Sequence, residues 1–146
     1  MKSQEIALAK SGMTALLQGN AHTARITIEK LVATGAADAV SCIALAYVCR
    51  VLQDVPTMHA AIKRALTLKP RNLRALILKA DRLHEANDSR SAAAFYITAV
   101  KSAAQLKTLP ADQFPNNLSQ ALDHAQARCN QYALNFAQFL TQDFYR

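Results

Sequence analysis

Shifted against itself by 34 positions, this 146-residue sequence aligns three consecutive windows without a gap, 5–38, 39–72 and 73–106. In each window an apolar residue opens the pattern (Leu8, Cys42, Leu76). A small residue follows four positions on (Gly12, Ala46, Ala80), and a further core position stands three beyond that (Ala15, Cys49, Leu83). The second half of each window repeats equally well: Ala24, Met58 and Ala92 lead to Ile28, Ile62 and Tyr96, then to Leu31, Ala65 and Ala99. Spacings of three and four mark one face of a helix. The small residues mark where a second helix must approach closely. Turn-forming residues separate the halves at Gly19-Asn20, Asp54-Val55-Pro56 and Asn87-Asp88-Ser89. Pro56 suits a helix start, and Pro70 forces a stop. Each window therefore reads as helix, tight turn, antiparallel helix.

Composition agrees with an all-α chain. Hydrophobic residues make up 51% of the sequence and charged residues 18%, with three glycines, so a packed helical core is expected and intrinsic disorder is not. The length suits one domain. Cys42, Cys49 and Cys129 are an odd number and read as small buried hydrophobes, which fits a reducing cytoplasm. No run approaches the roughly 20 apolar residues of a membrane span.

The period and the small-residue positions resemble the tetratricopeptide repeat. Departures are the missing aromatic near each window's start (Leu8, Cys42, Leu76 instead) and a closing proline kept only as Pro70, with Ala36 and Ala104 at the other two positions. The resemblance implies an α-α superhelix of three repeats. After a connector at 107–115, which holds Pro110 and Pro115, Leu118, Leu122, Ala125, Cys129, Tyr132, Phe136 and Phe139 form one stripe on a helix of about 27 residues. Asn116 or Asn117 is placed to cap its start. A helix within 116–146 is expected to cover the open face of the last repeat, and a coiled-coil seam in a homodimer is the alternative.

The tetratricopeptide resemblance also implies a groove lined by the first helices of the repeats, binding a protein or peptide. Carried onto this chain, that partner-binding set is Met13, Leu16 and Leu17; Ile43, Tyr47 and Arg50; and Arg74, Ile77, Asp81 and His84. Chaperone-tail binding is not expected, because Ala9 and Met13 stand where that clamp wants lysine and asparagine. Residues 71–96, together with LPADQ and the later ARCNQYALNFAQFL, further resemble the tetratricopeptide N-terminal region of bacterial proteins related to aspartyl/asparaginyl β-hydroxylases. That family's chemistry needs iron and 2-oxoglutarate.

This stretch itself is expected to be non-catalytic and to hold no cofactor. A facial iron triad needs two histidines and a carboxylate. None of His22, His59, His84 or His124 begins a His-x-Asp motif, so the oxygenase chemistry is expected beyond Arg146. His84-Glu85 is not a zinc-hydrolase motif, because Asp88 stands where the second histidine is needed. The three glycines are too scattered to form a phosphate loop.

The formal charge of +7 concentrates in 63–82, where Lys63, Arg64, Lys69, Arg71, Arg74, Lys79 and Arg82 face Asp81 alone. A solvated face is the ordinary outcome. An acidic protein segment is the partner such a cluster would attract, with the next domain of the same chain a further candidate occupant of the groove. Nucleic acid is disfavoured, because stacking aromatics are not interleaved with the charge.

Overall fold

The computed structural model describes residues 2–111, 114 and 116–144. Among the described residues are seven helices and no strand: α1 (Ser3–Leu17), α2 (Ala21–Ala33), α3 (Ala39–Val51), α4 (Val55–Leu68), α5 (Leu73–Glu85), α6 (Ser89–Ala104) and α7 (Leu118–Phe144). The fold class is all-α.

The 34-residue period reappears in the backbone. α2, α4 and α6 begin at residues 21, 55 and 89, and α1, α3 and α5 end at 17, 51 and 85. Between them the chain reverses through one left-handed residue each time: Gly19 (φ 77°), Gln53 (φ 60°) and Asn87 (φ 63°). Every one of these turns closes with the same hydrogen bonds. The Asn20, Asp54 and Asp88 amides donate to the Ala15, Cys49 and Leu83 carbonyls at 2.8, 2.8 and 2.9 Å. The Gly19, Gln53 and Asn87 amides donate to Leu16, Arg50 and His84 at 3.0, 3.2 and 3.0 Å. This is the Schellman closure, which satisfies carbonyls that the end of a helix leaves orphaned. The next helix then starts at once, with Asp54 accepting from the Thr57 amide and Asp88 from the Ser91 amide. Pro56 occupies the first turn of α4, and α4 ends at Leu68, two residues before Pro70.

The chain divides into two compact units, Met1–Ala75 and Leu76–Arg146, where the length alone suggested one domain. Helices of a repeat bury their surface against neighbours in sequence, so a chain of this size need not gather all its helices around one centre.

In the first unit α1 packs on α2 and α3 on α4, with α3 also against α2 and α1. Ala24, Ile28 and Leu31 of α2 and Met58, Ile62 and Ala65 of α4 are all buried, as their spacing predicts. Gly12 shows why a small residue recurs. A Cβ built there would lie 2.5 Å from Ile28 Cγ1, and Ile28 is itself only 1% exposed. Cys42 and Cys49 are buried in α3, and burial pushes both thiols above their ordinary pKa. Arg25 of α2 reaches across to Asp54, the cap of α4, at 2.5 Å, and also holds Glu29 at 3.0 Å.

In the second unit α6 packs on α7. Ala92, Tyr96 and Ala99 are buried at the expected positions, and Leu83 is half-buried. Asn117 caps α7 reciprocally: its Oδ1 accepts from the Gln120 amide at 2.8 Å, while Gln120 Oε1 accepts from the Asn117 amide at 3.0 Å. Along the predicted stripe Leu118 and Ala125 are buried, and Leu122, Cys129 and Tyr132 are half-buried. Phe136 is 63% exposed. The stripe runs out of cover because α7 (27 residues) extends about 40 Å, whereas α6 (16 residues) extends about 24 Å. Pro115 of the connector and the Phe139 side chain lie outside the described residues.

Two outcomes follow from these turns. A left-handed conformation strains any residue with a Cβ, so Gln53→Gly should raise the unfolding free energy by about 0.5–1 kcal/mol in urea titrations. The hydrogen bonds from Thr57 and Arg25 hold the Asp54 carboxyl below its usual pKa. A lowered folded-state pKa gives stability that is present above the unfolded value and lost as the pH falls through the folded one. Thermal unfolding midpoints should therefore drop below about pH 4, and that acid-dependent part should shrink in Asp54→Asn.

Candidate functional site

In the first unit, the residues expected to face a partner divide between core and surface. Leu16 of α1 and Ile43 of α3 are buried. Leu17 is 48% exposed, Arg50 is exposed, and Met13 and Tyr47 are half-buried. Met13 and Tyr47 hold the same place in successive windows, as do Leu16 and Arg50, and α1 and α3 pack together. Arg74, at the start of α5, is only 2% exposed. Its Nη1 donates to the Tyr47 hydroxyl at 2.9 Å, and its Cζ lies 5.8 Å from the centre of the Tyr47 ring. A buried guanidinium needs such partners. The pairing holds the Tyr47 ring, and Arg50 stands one helical turn further along α3.

The second unit places Ile77 in the core, whereas Asp81 and His84 of α5 join a polar cluster with α6 and α7. The Tyr96 hydroxyl, from a ring with no exposed surface, donates to Asp81 Oδ1. The same carboxylate oxygen lies 2.9 Å from His124 Nε2. His84 Nδ1 is hydrogen-bonded to the Tyr132 hydroxyl, with ring centres 5.8 Å apart. Tyr96 meets His124 edge-on at 5.9 Å and lies 6.2 Å from Tyr132.

Burial is the main cause that raises the phenol pKa of Tyr96, with the Asp81 carboxylate adding to it; Tyr132 is also raised chiefly by burial. Both phenols stay protonated at neutral pH, and Tyr96 donates to the Asp81 carboxylate. Arg128, one helical turn from both His124 and Tyr132, buries its Nε without a hydrogen-bond partner. The cluster thus ties three helices together through one carboxylate and two phenols. Tyr96, His124, Arg128 and Tyr132 were not among the residues singled out for this site. The one signal for the last three is their four-residue spacing on α7, where Tyr132 also belongs to the apolar stripe.

Among the described residues, no group of three or more His, Cys, Asp or Glu side chains is placed to hold a metal ion. No helix among them is long and apolar enough to cross a membrane. No protein-family model matches the chain, and no curated protein matches it in sequence.

The Tyr96–Asp81 bond has a measurable signature. Tyr96→Phe removes a buried donor to a carboxylate and should cost about 1–2 kcal/mol at neutral pH. A raised folded-state pKa gives stability that is present below the unfolded value and lost as the pH rises through the folded one. Wild-type unfolding should therefore steepen above about pH 10, and denaturant titrations of Tyr96→Phe should show a weaker alkaline slope.

Proposed function

We propose that this chain is a non-catalytic protein-interaction module of the tetratricopeptide type, binding a protein or peptide segment through its first-helix face. The observation that carries this reading is the return of the 34-residue sequence period in the backbone, with left-handed turn residues at 19, 53 and 87. The positions that such a module uses for a ligand include Leu17 and Arg50, which are exposed, and Tyr47, which is braced by Arg74. A braced aromatic beside an exposed cation offers contact area at low entropic cost. The resemblance of residues 71–96 and of α7 to the region preceding a hydroxylase-like oxygenase supports a place beside such a domain. In that setting the module would recruit a substrate segment or dock its own neighbour. The iron chemistry would belong to that neighbour.

Backbone amide shifts in a labelled sample, titrated with a panel of short peptides, test the binding face. Perturbations should map to Met13, Leu17, Tyr47 and Arg50. Tyr47→Ala and Arg50→Glu should each weaken the best peptide roughly tenfold, as loss of a central contact does. A panel that leaves Tyr47 and Arg50 unshifted would count against the reading.

A further inference from the structure

The first unit carries a concave feature apart from the first-helix positions. A cavity of about 650 Å³ opens between the α2–α3 and α4–α5 connections. Its volume falls within the range of ligand pockets. Its apolar lining comes from Ala39 and the half-exposed Val40 at the start of α3 and from Pro70 of the α4–α5 connection. The nearby side-chain acceptors are committed to their own helices. Asp38 Oδ1 accepts from the Ser41 amide at 2.9 Å, and Asn72 Oδ1 from the Ala75 amide at 3.0 Å.

The rim is charged. Lys69 and Arg71 line the cavity, both are exposed, and neither is ion-paired among the described residues. Lys63 and Arg64, also exposed, stand on the last turns of α4. The one carboxylate in the lining is Asp38, so positive charge predominates there.

We propose that this cavity is a docking site for a short extended acidic segment of another protein, with one apolar side chain against Val40 and Pro70 and carboxylates facing Lys69 and Arg71. The inference does not rest on the first-helix reading, because none of the residues expected to line that face lines this cavity. Its chemistry favours a peptide over a nucleic acid. Cations alone would attract either, but the lining holds no aromatic ring on which a base could stack, and it does hold an apolar wall that a phosphate backbone leaves unused. Exposed charges steer encounter and are screened by salt, whereas the apolar contact is not, so both halves of the ligand have separate signatures.

The test uses the full chain and a fluorescein-labelled peptide in which a single leucine is flanked by glutamates. Two control peptides replace the leucine by serine or the glutamates by glutamine. A single-stranded oligonucleotide of equal charge competes. In buffer of about 150 mM salt, the Leu-containing acidic peptide should bind, and each control should bind roughly tenfold more weakly. Lys69→Glu with Arg71→Glu should abolish binding, whereas Lys10→Glu with Lys30→Glu, the same charge change elsewhere in the unit, should leave it within about twofold. Amide shifts should centre on Ala39, Val40 and Asn72. Val40→Asp provides an independent variant and should weaken the peptide as strongly as the serine control does.

The proposal is overturned if both charge reversals weaken binding equally, if the serine peptide binds as well as the leucine peptide, or if no peptide binds. An oligonucleotide that competes more strongly than the unlabelled peptide also overturns it, in favour of nucleic acid. Shifts confined to Tyr47 and Arg50 would overturn this site while leaving the first-helix reading intact.

Discussion

Each helix pair in this chain depends on one residue that adopts a positive φ. At Gly19, Gln53 and Asn87 the backbone enters the left-handed region, and this turns the amide of that residue and the amide after it back onto carbonyls of the helix just ended. Without that reversal the second helix of each pair could not run back along the first. The small residues at Gly12 and Ala46 would then have nothing to accommodate. The constraint is costly for glutamine, which has a Cβ, and comparatively mild for glycine and asparagine. That the same conformation is kept at Gln53 shows how strongly the surrounding packing determines it.

From that constraint follows the placing of side chains. With the turns in register, the second helices present residues 24, 28 and 31, then 58, 62 and 65, then 92, 96 and 99, to buried positions. The caps join in, since Asp54 holds the start of α4 while also accepting from Arg25 of α2. One residue thereby serves the local start of a helix and the packing between successive helix pairs. In the second unit Asp81 has a comparable double role, receiving the Tyr96 hydroxyl and facing His124.

Much of this was legible in the sequence because repetition amplifies weak local signals. The middle turn was signalled by Asp54-Val55-Pro56, whereas the left-handed residue itself, Gln53, has a side chain that carries no turn signal. The start of α7 was equally legible, because a cap and a stripe of spacing three and four are local properties. The candidate binding face was less so. Leu16, Ile43 and Ile77 are apolar residues on first helices, and sequence alone does not distinguish an apolar residue that greets a ligand from one that fills the core. α3 is buried over most of its length because α1, α2 and α4 all pack against it. The polar cluster was hidden for another reason. Its partners for Asp81 and His84 include residues of α7, which lies outside the repeat, so no periodicity connects them.

The most direct test of the account is a residue-specific measurement of φ at 19, 53 and 87, from amide-to-α-proton couplings and cross-correlated relaxation in a labelled sample. Closure of the three turns requires positive φ at all three positions, Gln53 included. A negative φ at Gln53 or Asn87 would contradict it, because the turn could not then close as described and the 34-residue period would lose its structural meaning.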